Sequence, residues 1–321
     1  MALRSHIISS GSYLPEKIMK NKDLESIVDT SDEWIEQRSG IKQRHIAADN
    51  QTTSDMATKA AQAALDAAGL RACDIDGIIV ATTTPDQTFP SVAVKVQAAI
   101  GAPVGIAFDV QAVCTGFVYA LAVADNFIKA RQMKRVIVIG AEKMSSILDW
   151  SDRTTCVLFG DGAGAVILEA KESLNNSGIL STHLYANGNH QGLLYTNGGV
   201  SSSGDSGKIV MEGREVFKHA VTLMAGAVTS ALEANDMSPD DVDWLVPHQA
   251  NIRIIESTAK KLSMPMGKVI VTVAHHGNTS AASIPLAFDE GMKSGQIKAG
   301  QTVLFEALGG GLTWGSALIK L

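Results

Sequence analysis

The stretch DVQAVCTGFVYALAVA, residues 109–124, determines how the rest of the chain is interpreted. Apolar residues 106–108 precede it and are typical of a buried strand, and small residues at 111–113 then predict a tight corner. After Cys114 the apolar residues recur at helical spacing, and no proline interrupts them. The order of strand, corner and helix therefore places the Cys114 thiol at the N-terminal end of a buried helix.

Cys114 is for this reason a candidate nucleophile. The helix dipole and the unpaired N–H groups at a helix N-terminus favour the thiolate over the thiol. The thiolate is the form that attacks an acyl carbon in covalent catalysis. The alternative is a free cysteine that packs as a small apolar residue, which is the commonest fate of cysteine. The local pattern leaves both interpretations open.

Composition excludes several classes of protein. The chain has 321 residues, of which 45% are hydrophobic, enough for a sizeable core. Its net charge of −6, without a basic block, gives no electrostatic support for nucleic-acid binding. The first residues lack the apolar core of a signal peptide, and no segment approaches the about 20 apolar residues of a membrane span.

The three cysteines, Cys73, Cys114 and Cys156, lie far apart and are odd in number. This pattern argues against a disulfide framework and against a thiolate metal site. We therefore expect a soluble, cytoplasmic protein in a reducing compartment, with no metal, no membrane and no nucleic acid as partner.

The second half of the chain repeats the plan of the first. Residues 64–82 (ALDAAGLRACDIDGIIVAT) align without a gap with residues 231–249 (ALEANDMSPDDVDWLVPHQ). A repeat of about half the chain indicates a duplicated α/β unit and not a solenoid of short repeats. We expect the division near residue 172, in a polar stretch, giving an N-terminal half of residues 1–172 and a C-terminal half of residues 173–321.

The repeat also pairs two strand–helix corners. The helix after Cys114 aligns with the helix after Asn278, and Asp125 falls on Asp289. His248 follows a short predicted strand where the next helix begins. Because open α/β sheets place their sites at strand ends that face a shared crevice, we expect Cys114, His248 and Asn278 to converge from both halves.

Two glycine-rich segments and one histidine pair need separate interpretation. Residues 160–165 (GDGAGA) fit a loose dinucleotide pattern, but a strand-like run follows them, so we favour glycines that allow close packing. The triplet at 309–311 could bring N–H groups to an oxyanion or form a bulge, and both interpretations stay open. We interpret His275 and His276 as polar surface, since no spacing typical of metal ligands is present.

Six segments together resemble the β-ketoacyl-acyl-carrier-protein synthase III family, the thiolase-like condensing enzymes that initiate type II fatty-acid synthesis. The matching segments are TSDEWIEQRSGIKQRHIA (30–47), DVQAVCTGFVYAL (109–121), DRTTCVLFGDGAGA (152–165), PHQANIRI (247–254), HGNTSAASIP (276–285) and EALGGGLTWGSAL (306–318). The resemblance implies an α/β chain with a duplicated five-layered αβαβα fold, and a homodimer. The fold agrees with the internal repeat.

The resemblance also implies roles for individual residues. Cys114, His248 and Asn278 match the catalytic set, and the backbone N–H groups of Cys114 and Gly310 match the oxyanion hole. The positions matching coenzyme A contacts are Thr30, Trp34, Arg38, Arg153, Gly213, Phe217 and Asn251. The acyl-pocket positions are Phe89, which reaches across the dimer, and Leu308. The basic face for the carrier protein comprises Lys218, Arg253, Lys260 and Lys261.

The implied reaction is a decarboxylating condensation of a short acyl-CoA with malonyl-acyl-carrier protein through an acyl-cysteine, without a cofactor. Leu308 departs from the family pattern, which often has phenylalanine there, so the resemblance leaves acyl preference open. Two alternatives remain: a starter-unit ketosynthase or acyltransferase of secondary metabolism, and a binding module that has lost catalysis.

Overall fold

Two large sheets and the helices around them carry the fold, and the computed structural model describes residues 2–173 and 177–321. The strands are β1 (Ala2–Tyr13), β2 (Lys17–Lys20), β3 (Gln43–Ile46), β4 (Gly77–Ala81), β5 (Ile106–Val110), β6 (Arg135–Lys143), β7 (Asp161–Ser173), β8 (Gly178–Ala186), β9 (Leu194–Thr196), β10 (Ile209–Met211), β11 (Trp244–Pro247), β12 (Thr302–Gly309) and β13 (Thr313–Lys320). The helices are α1 (Asn21–Leu24), α2 (Asp32–Ser39), α3 (Thr53–Ala68), α4 (Val92–Ile100), α5 (Gly116–Lys129), α6 (Gly213–Glu233), α7 (Ile252–Lys261), α8 (Val273–His276) and α9 (Ser283–Lys293).

The first sheet has the strand order β1-β7-β6-β4-β5. Strand β4 pairs in parallel with β5 and β6, whereas β7 is antiparallel to β6 and to β1. The continuous burial of β4 is typical of parallel strands covered on both faces. The second sheet has the order β11-β12-β13-β8, with β11 parallel to β12 and the other pairs antiparallel.

Helices α5 and α9 lie between the two sheets. Phe117 of α5 and Phe288 of α9 pack in one cluster with Val138 of the first sheet and Phe305 of the second. Helices α3 and α4 cover the outer face of the first sheet, and α6 and α7 cover the outer face of the second. The layers therefore run α, β, α, β, α, and the predicted fold class is confirmed.

The duplication is visible in matching hydrogen bonds of the two central helices. Asp125 in α5 and Asp289 in α9 are both buried. Each forms an ion pair at 2.6 Å with the lysine four residues later in its helix. Each also accepts a hydrogen bond of 2.7 Å from a serine hydroxyl of β1. The aligned aspartates therefore anchor their helices to the same strand.

The predicted division near residue 172 falls in the last residues of β7, close to where the first sheet ends. Strand β7 of the first sheet ends at Ser173, and strand β8 of the second begins at Gly178. Residues 174–176 of the polar stretch lie outside the described residues, so the boundary itself stays a prediction. Over residues 2–173 and 177–321, no helix combines the length and the apolar character needed to cross a membrane.

The glycine-rich segment at 160–165 lies at the start of one long strand, β7, and no helix follows it. A phosphate-binding loop is therefore absent from this segment. A Cβ added at Gly164 would lie 2.7 Å from the backbone nitrogen of Leu286. The glycine thus allows α9 to lie directly against β7, which supports the interpretation of close packing.

Gly164→Ala should accordingly destabilise the protein, because the new methyl group would push α9 away from β7. We expect a loss of about 1–3 kcal/mol in the free energy of unfolding, measured by urea denaturation. Gly226→Ala in α6 is the matched control, since nothing lies within 4 Å of its added Cβ. That change should stabilise by about 0.5–1 kcal/mol. Equal unfolding free energies for the two variants would contradict the close approach.

Candidate active site

Cys114 and Asn278 occupy equivalent corners of the two halves. Cys114 lies in a short 3₁₀ turn, Val113–Thr115, directly before α5. Asn278 lies before the 3₁₀ turn Ser280–Ala282, which leads into α9. The residue before each has a left-handed backbone, with φ of 51° at Val113 and 68° at Gly277. Such a conformation is costly for valine, so the sharp corner at Cys114 is held by the surrounding structure.

Cys114, His248 and Asn278 line a single cavity of about 530 Å³. Their exposed fractions are only 4%, 3% and 6%. One comes from the N-terminal half of the chain and two from the C-terminal half. The expected convergence of the three side chains is therefore what the structure shows, whereas their chemical roles stay predictions.

Burial controls the protonation of Cys114. Removal from water raises the pKa of its thiol to about 12, although the Ser280 hydroxyl acts in the opposite direction by hydrogen bonding to the thiolate. The expectation that the helix start makes Cys114 a thiolate is therefore wrong for the free protein. The resting group is a thiol, and it must give up its proton as it reacts.

Burial also keeps His248 neutral. The pKa of its imidazole is lowered to about 3 because the charged form would lose its hydration. Its Nδ1 lies 2.6 Å from the hydroxyl oxygen of Ser283, the first residue of α9. Its backbone N–H donates to the carbonyl of Glu306 in β12 at 2.8 Å. The ring thus contacts α9, whereas the backbone of His248 is bonded to β12.

Asn278 is oriented by its own turn. Its side-chain oxygen accepts a hydrogen bond of 2.9 Å from the backbone N–H of Ser280. Because the oxygen is occupied in this way, the amide nitrogen of Asn278 is the end available as a donor to a bound group.

The glycine triplet lies against the Cys114 corner in the turn between β12 and β13. A Cβ added at Gly309 would lie 2.8 Å from the backbone nitrogen of Cys114, so glycine allows this close approach. An added Cβ at Gly310 would meet the carbonyl of Leu194 at 2.7 Å and the side chain of Val113 at 3.5 Å. Gly310 therefore neighbours the corner, and its role in an oxyanion hole stays a prediction.

The residues expected to bind coenzyme A cluster at the outer part of the cavity. Five of them line it: Trp34, Arg38, Gly213, Phe217 and Asn251. The sixth, Arg153, lies over the Trp34 ring at 5.2 Å, and Arg38 lies over the same ring at 4.7 Å. The seventh, Thr30, has a buried hydroxyl without a hydrogen-bond partner among the described residues.

The residues expected to bind the carrier protein are all exposed on α6 and α7. Arg253 lines the cavity and lies over the Phe217 ring at 5.6 Å. Lys218, Lys260 and Lys261 lie on the same pair of helices and do not line the cavity. Arg214, which also lines it, was missed by the sequence analysis, although a basic residue beside Gly213 was a signal.

The two acyl-pocket residues are far apart in this chain. Leu308 lines the cavity, with 5% of its surface exposed, and packs with Met224 and Leu312. Phe89 is 80% exposed on the loop before α4 and does not line the cavity. A single chain therefore does not bring Phe89 to the Cys114 site.

The interpretation of the adjacent histidines as polar surface is wrong for His276, which is only 5% exposed. Burial lowers the pKa of His276 to about 4. His275 and His276 both contact the carboxylate of Glu290, at 2.9 Å and 3.4 Å. These three groups could hold a metal ion within the part of the chain that the structure describes. The expected absence of metal therefore stays a prediction.

The αβαβα layers and the Cys-His-Asn cavity first define a class, the thiolase-like condensing enzymes. Residues 108–188 match the family model 3-Oxoacyl-[acyl-carrier-protein (ACP)] synthase III, and residues 232–321 match the model of its C terminal. The Beta-ketoacyl-[acyl-carrier-protein] synthase III of Paramagnetospirillum magneticum is 61% identical, over 100% of both chains. The chain therefore belongs to the β-ketoacyl-acyl-carrier-protein synthase III family.

Solved structures agree with this assignment. The 3-oxoacyl-[acyl-carrier-protein] synthase III from Aquifex aeolicus is 49% identical, with a TM-score of 0.94 over 99% of this chain and 100% of that chain. The priming β-ketosynthase from the R1128 polyketide biosynthetic pathway is 32% identical, with a TM-score of 0.94 over 100% of this chain and 98% of that chain. The fold thus accommodates both kinds of ketosynthase.

The depressed pKa of His248 predicts that its ring stays neutral from pH 8 to pH 5. In ¹⁵N spectra of histidine-labelled protein, the His248 nitrogens should keep neutral-imidazole shifts throughout this range, because protonation begins only near a pKa of about 3. His248→Asn provides the assignment. A titration of these signals with a midpoint near the ordinary value of 6.5 would contradict the role of burial.

Proposed function

We propose that this chain condenses a short acyl-CoA, such as acetyl-CoA, with malonyl-acyl-carrier protein to give 3-ketoacyl-acyl-carrier protein, CoA and CO2. This reaction initiates type II fatty-acid synthesis. The observation that carries the proposal is the cavity in which a buried thiol, a neutral imidazole and an oriented amide meet. Family membership supports the same activity.

In the first half-reaction Cys114 attacks the thioester carbon of the acyl-CoA. The thiol gives up its proton as the carbon–sulfur bond forms, since burial disfavours a free thiolate. The negative charge that develops on the thioester oxygen is stabilised by the backbone N–H groups of Cys114 and Gly310. Coenzyme A then leaves and Cys114 carries the acyl group.

In the second half-reaction the malonyl group of the carrier protein loses CO2. The electron pair moves toward the thioester oxygen, where neutral His248 and the Asn278 amide can each donate a hydrogen bond. The resulting carbanion attacks the acyl carbon on Cys114 and releases the thiolate. No cofactor takes part, because acyl-CoA is a substrate and the side chains supply the remaining chemistry.

The rim of the cavity suits the two substrates. Two guanidinium groups over the Trp34 ring leave an aromatic and cationic surface for a nucleotide base and its phosphates. Gly213, Phe217 and Asn251 line the cavity where the pantetheine arm would run. Thr30 follows Asp29, whose carbonyl accepts a hydrogen bond of 2.9 Å from Arg153. The exposed cations of α6 and α7 form a basic face on a chain whose net charge is −6. This face suits an acidic carrier protein.

A homodimer would explain the exposed apolar residues beside β5. Strand β5 is at the edge of the first sheet, and an open edge readily pairs with another strand. Phe89, Val94, Val104 and Ile106 are all exposed near this edge. Pairing of β5 across a two-fold axis would cover them and bring Phe89 toward the neighbour's acyl pocket. A cytoplasmic location stays a prediction.

Mass spectrometry of the intact protein after incubation with a panel of acyl-CoAs tests the proposal. The native chain should gain one acyl group on Cys114, and Cys114→Ser should lose this gain while Cys73→Ser and Cys156→Ser retain it. Acyl gain by Cys114→Ser at the native rate would show that the thiol is not the nucleophile. The chain length that loads fastest separates a fatty-acid primer from a starter unit of secondary metabolism.

Asn278→Ala should separate the two half-reactions. Acylation does not use the Asn278 amide and should continue at near-native speed. Release of labelled CO2 from malonyl-acyl-carrier protein should slow by at least about 100-fold, the usual effect of removing one oxyanion donor. Asn278→Asp should be no better, because an ionised carboxylate has no donor. Collapse of acylation with survival of decarboxylation would reverse the assigned roles.

A further inference from the structure

Arg44 is a buried cation beside the Asn278 corner. It lies on β3 and is 0% exposed. Its Nη1 donates to the carbonyl of Met19 at 3.2 Å, and its Nη2 donates to the carbonyl of Val157 at 2.6 Å. Resting on the proposed function, we propose that Arg44 is a positioning residue, which sets the Asn278 amide for decarboxylation without touching the substrate.

The base of the Arg44 side chain makes the first contact with the corner. A Cβ added at Gly277 would lie 3.1 Å from the Cβ of Arg44, and a Cβ added at Gly160 would lie 2.9 Å from it. Gly277 directly precedes Asn278, and the N–H of Gly160 donates to the Asn278 carbonyl at 3.0 Å. Arg44 is thus packed against both of the backbone segments that meet at Asn278.

The guanidinium makes the second contact. Val157, whose carbonyl accepts from Nη2, is followed by Leu158, whose carbonyl accepts the N–H of Asn278 at 2.9 Å. The hydrogen bond from Arg44 and the one that holds the corner therefore lie on adjacent residues of one segment. A shift of Val157 would move Leu158 and with it the backbone of Asn278. The amide nitrogen of Asn278 would follow, because its side-chain oxygen is bonded within the same turn.

The surroundings of Arg44 are unusual for a buried cation. Over residues 2–173 and 177–321, its hydrogen bonds go to the two carbonyls alone, and its Nε has no hydrogen-bond partner. Burial lowers the pKa of Arg44 to about 10, so the group is still charged at neutral pH. A buried charge without a carboxylate is costly. The gain is geometric, since the planar guanidinium fixes two carbonyls from separate segments, whereas a lysine ammonium is a point donor.

The two half-reactions distinguish positioning from a merely structural role. Arg44 does not line the cavity of about 530 Å³, so it can reach the reaction only through the residues that do. Decarboxylation uses the Asn278 amide in the proposed mechanism, whereas acetylation of Cys114 does not. Loss of Arg44 should therefore slow decarboxylation selectively, while a general loosening of the structure would slow both steps.

The test compares both half-reactions in Arg44→Met and in the milder Arg44→Lys, each assayed at a temperature at which circular dichroism shows it to be folded. Release of labelled CO2 from malonyl-acyl-carrier protein should slow by about 100-fold in Arg44→Met, as expected for a small misplacement of a reacting group. Arg44→Lys should lose less, since its ammonium can still donate to one carbonyl. Acetylation from acetyl-CoA should stay near native in both variants.

The double variant Arg44→Met with Asn278→Ala shows whether Arg44 acts through the amide. Once the amide is absent, its position no longer matters, so the double variant should release CO2 no more slowly than Asn278→Ala alone. Losses that multiply in the double variant would overturn the assignment.

Arg4→Met is the matched control. Arg4 also donates to two backbone carbonyls, those of Ile179 at 3.1 Å and Leu180 at 3.5 Å, and its Nε likewise has no partner among the described residues. It does not line the cavity either. Arg4→Met should leave both half-reactions unchanged.

Three results would overturn the role of Arg44. They are native CO2 release by folded Arg44→Met, an equal loss of both half-reactions in the Arg44 variants, and failure of both variants to fold, which would make the residue a requirement of the fold alone. Failure of the unaltered chain to become acetylated, or native CO2 release by Asn278→Ala, would instead overturn the proposed function.

Discussion

The backbone of Asn278 joins the two halves of the chain at the site. Its N–H donates to the carbonyl of Leu158 at 2.9 Å, and its carbonyl accepts from the N–H of Gly160 at 3.0 Å. These bonds form a parallel bridge opposite Phe159, so a segment of the N-terminal half lies beside the Asn278 corner of the C-terminal half. A buried backbone group without a hydrogen-bond partner is costly. A shift of one half relative to the other would break these two hydrogen bonds and is therefore unfavourable. The relative placement of Cys114 and Asn278 depends on this bridge.

The three side chains of the site are also buried, and burial determines their protonation. The same loss of water moves the pKa of Cys114 up and the pKa of His248 down, so both resting groups are neutral. A neutral imidazole and an amide can donate to a developing oxyanion, and buried donors stabilise such a charge more than exposed donors do. The corresponding cost is that Cys114, in its proposed role as nucleophile, must lose its proton during the attack.

Duplication explains how one fold supplies different groups to the same cavity. The helices α5 and α9 keep their aspartate–lysine pairs and their contacts with β1, because these contacts hold each helix between the sheets. Each corner before these helices has a residue with a left-handed backbone, Val113 in one and Gly277 in the other. The side chain of the next residue does not make the aspartate contacts, so it can differ between the two corners. One corner presents the Cys114 thiol and the other presents the Asn278 amide. Helices α5 and α9 thus have the same structural role, whereas the two corners before them supply different chemical groups.

The sequence by itself indicated the strand and helix on either side of Cys114, the repeat and, with the family resemblance, the catalytic candidates, because apolar periodicity and the pairing of Cys114 with Asn278 are visible along the chain. Only the tertiary structure decided the protonation of the site. Desolvation of Cys114 comes from residues distant in sequence, and it outweighs the local effect of the helix start that favours a thiolate. His248 and Ser283, whose side chains lie 2.6 Å apart, are separated by 35 positions in the chain, so no local pattern could join them. Hydrogen-bond partners and dielectric are properties of the packed structure, whereas periodicity is a property of the chain.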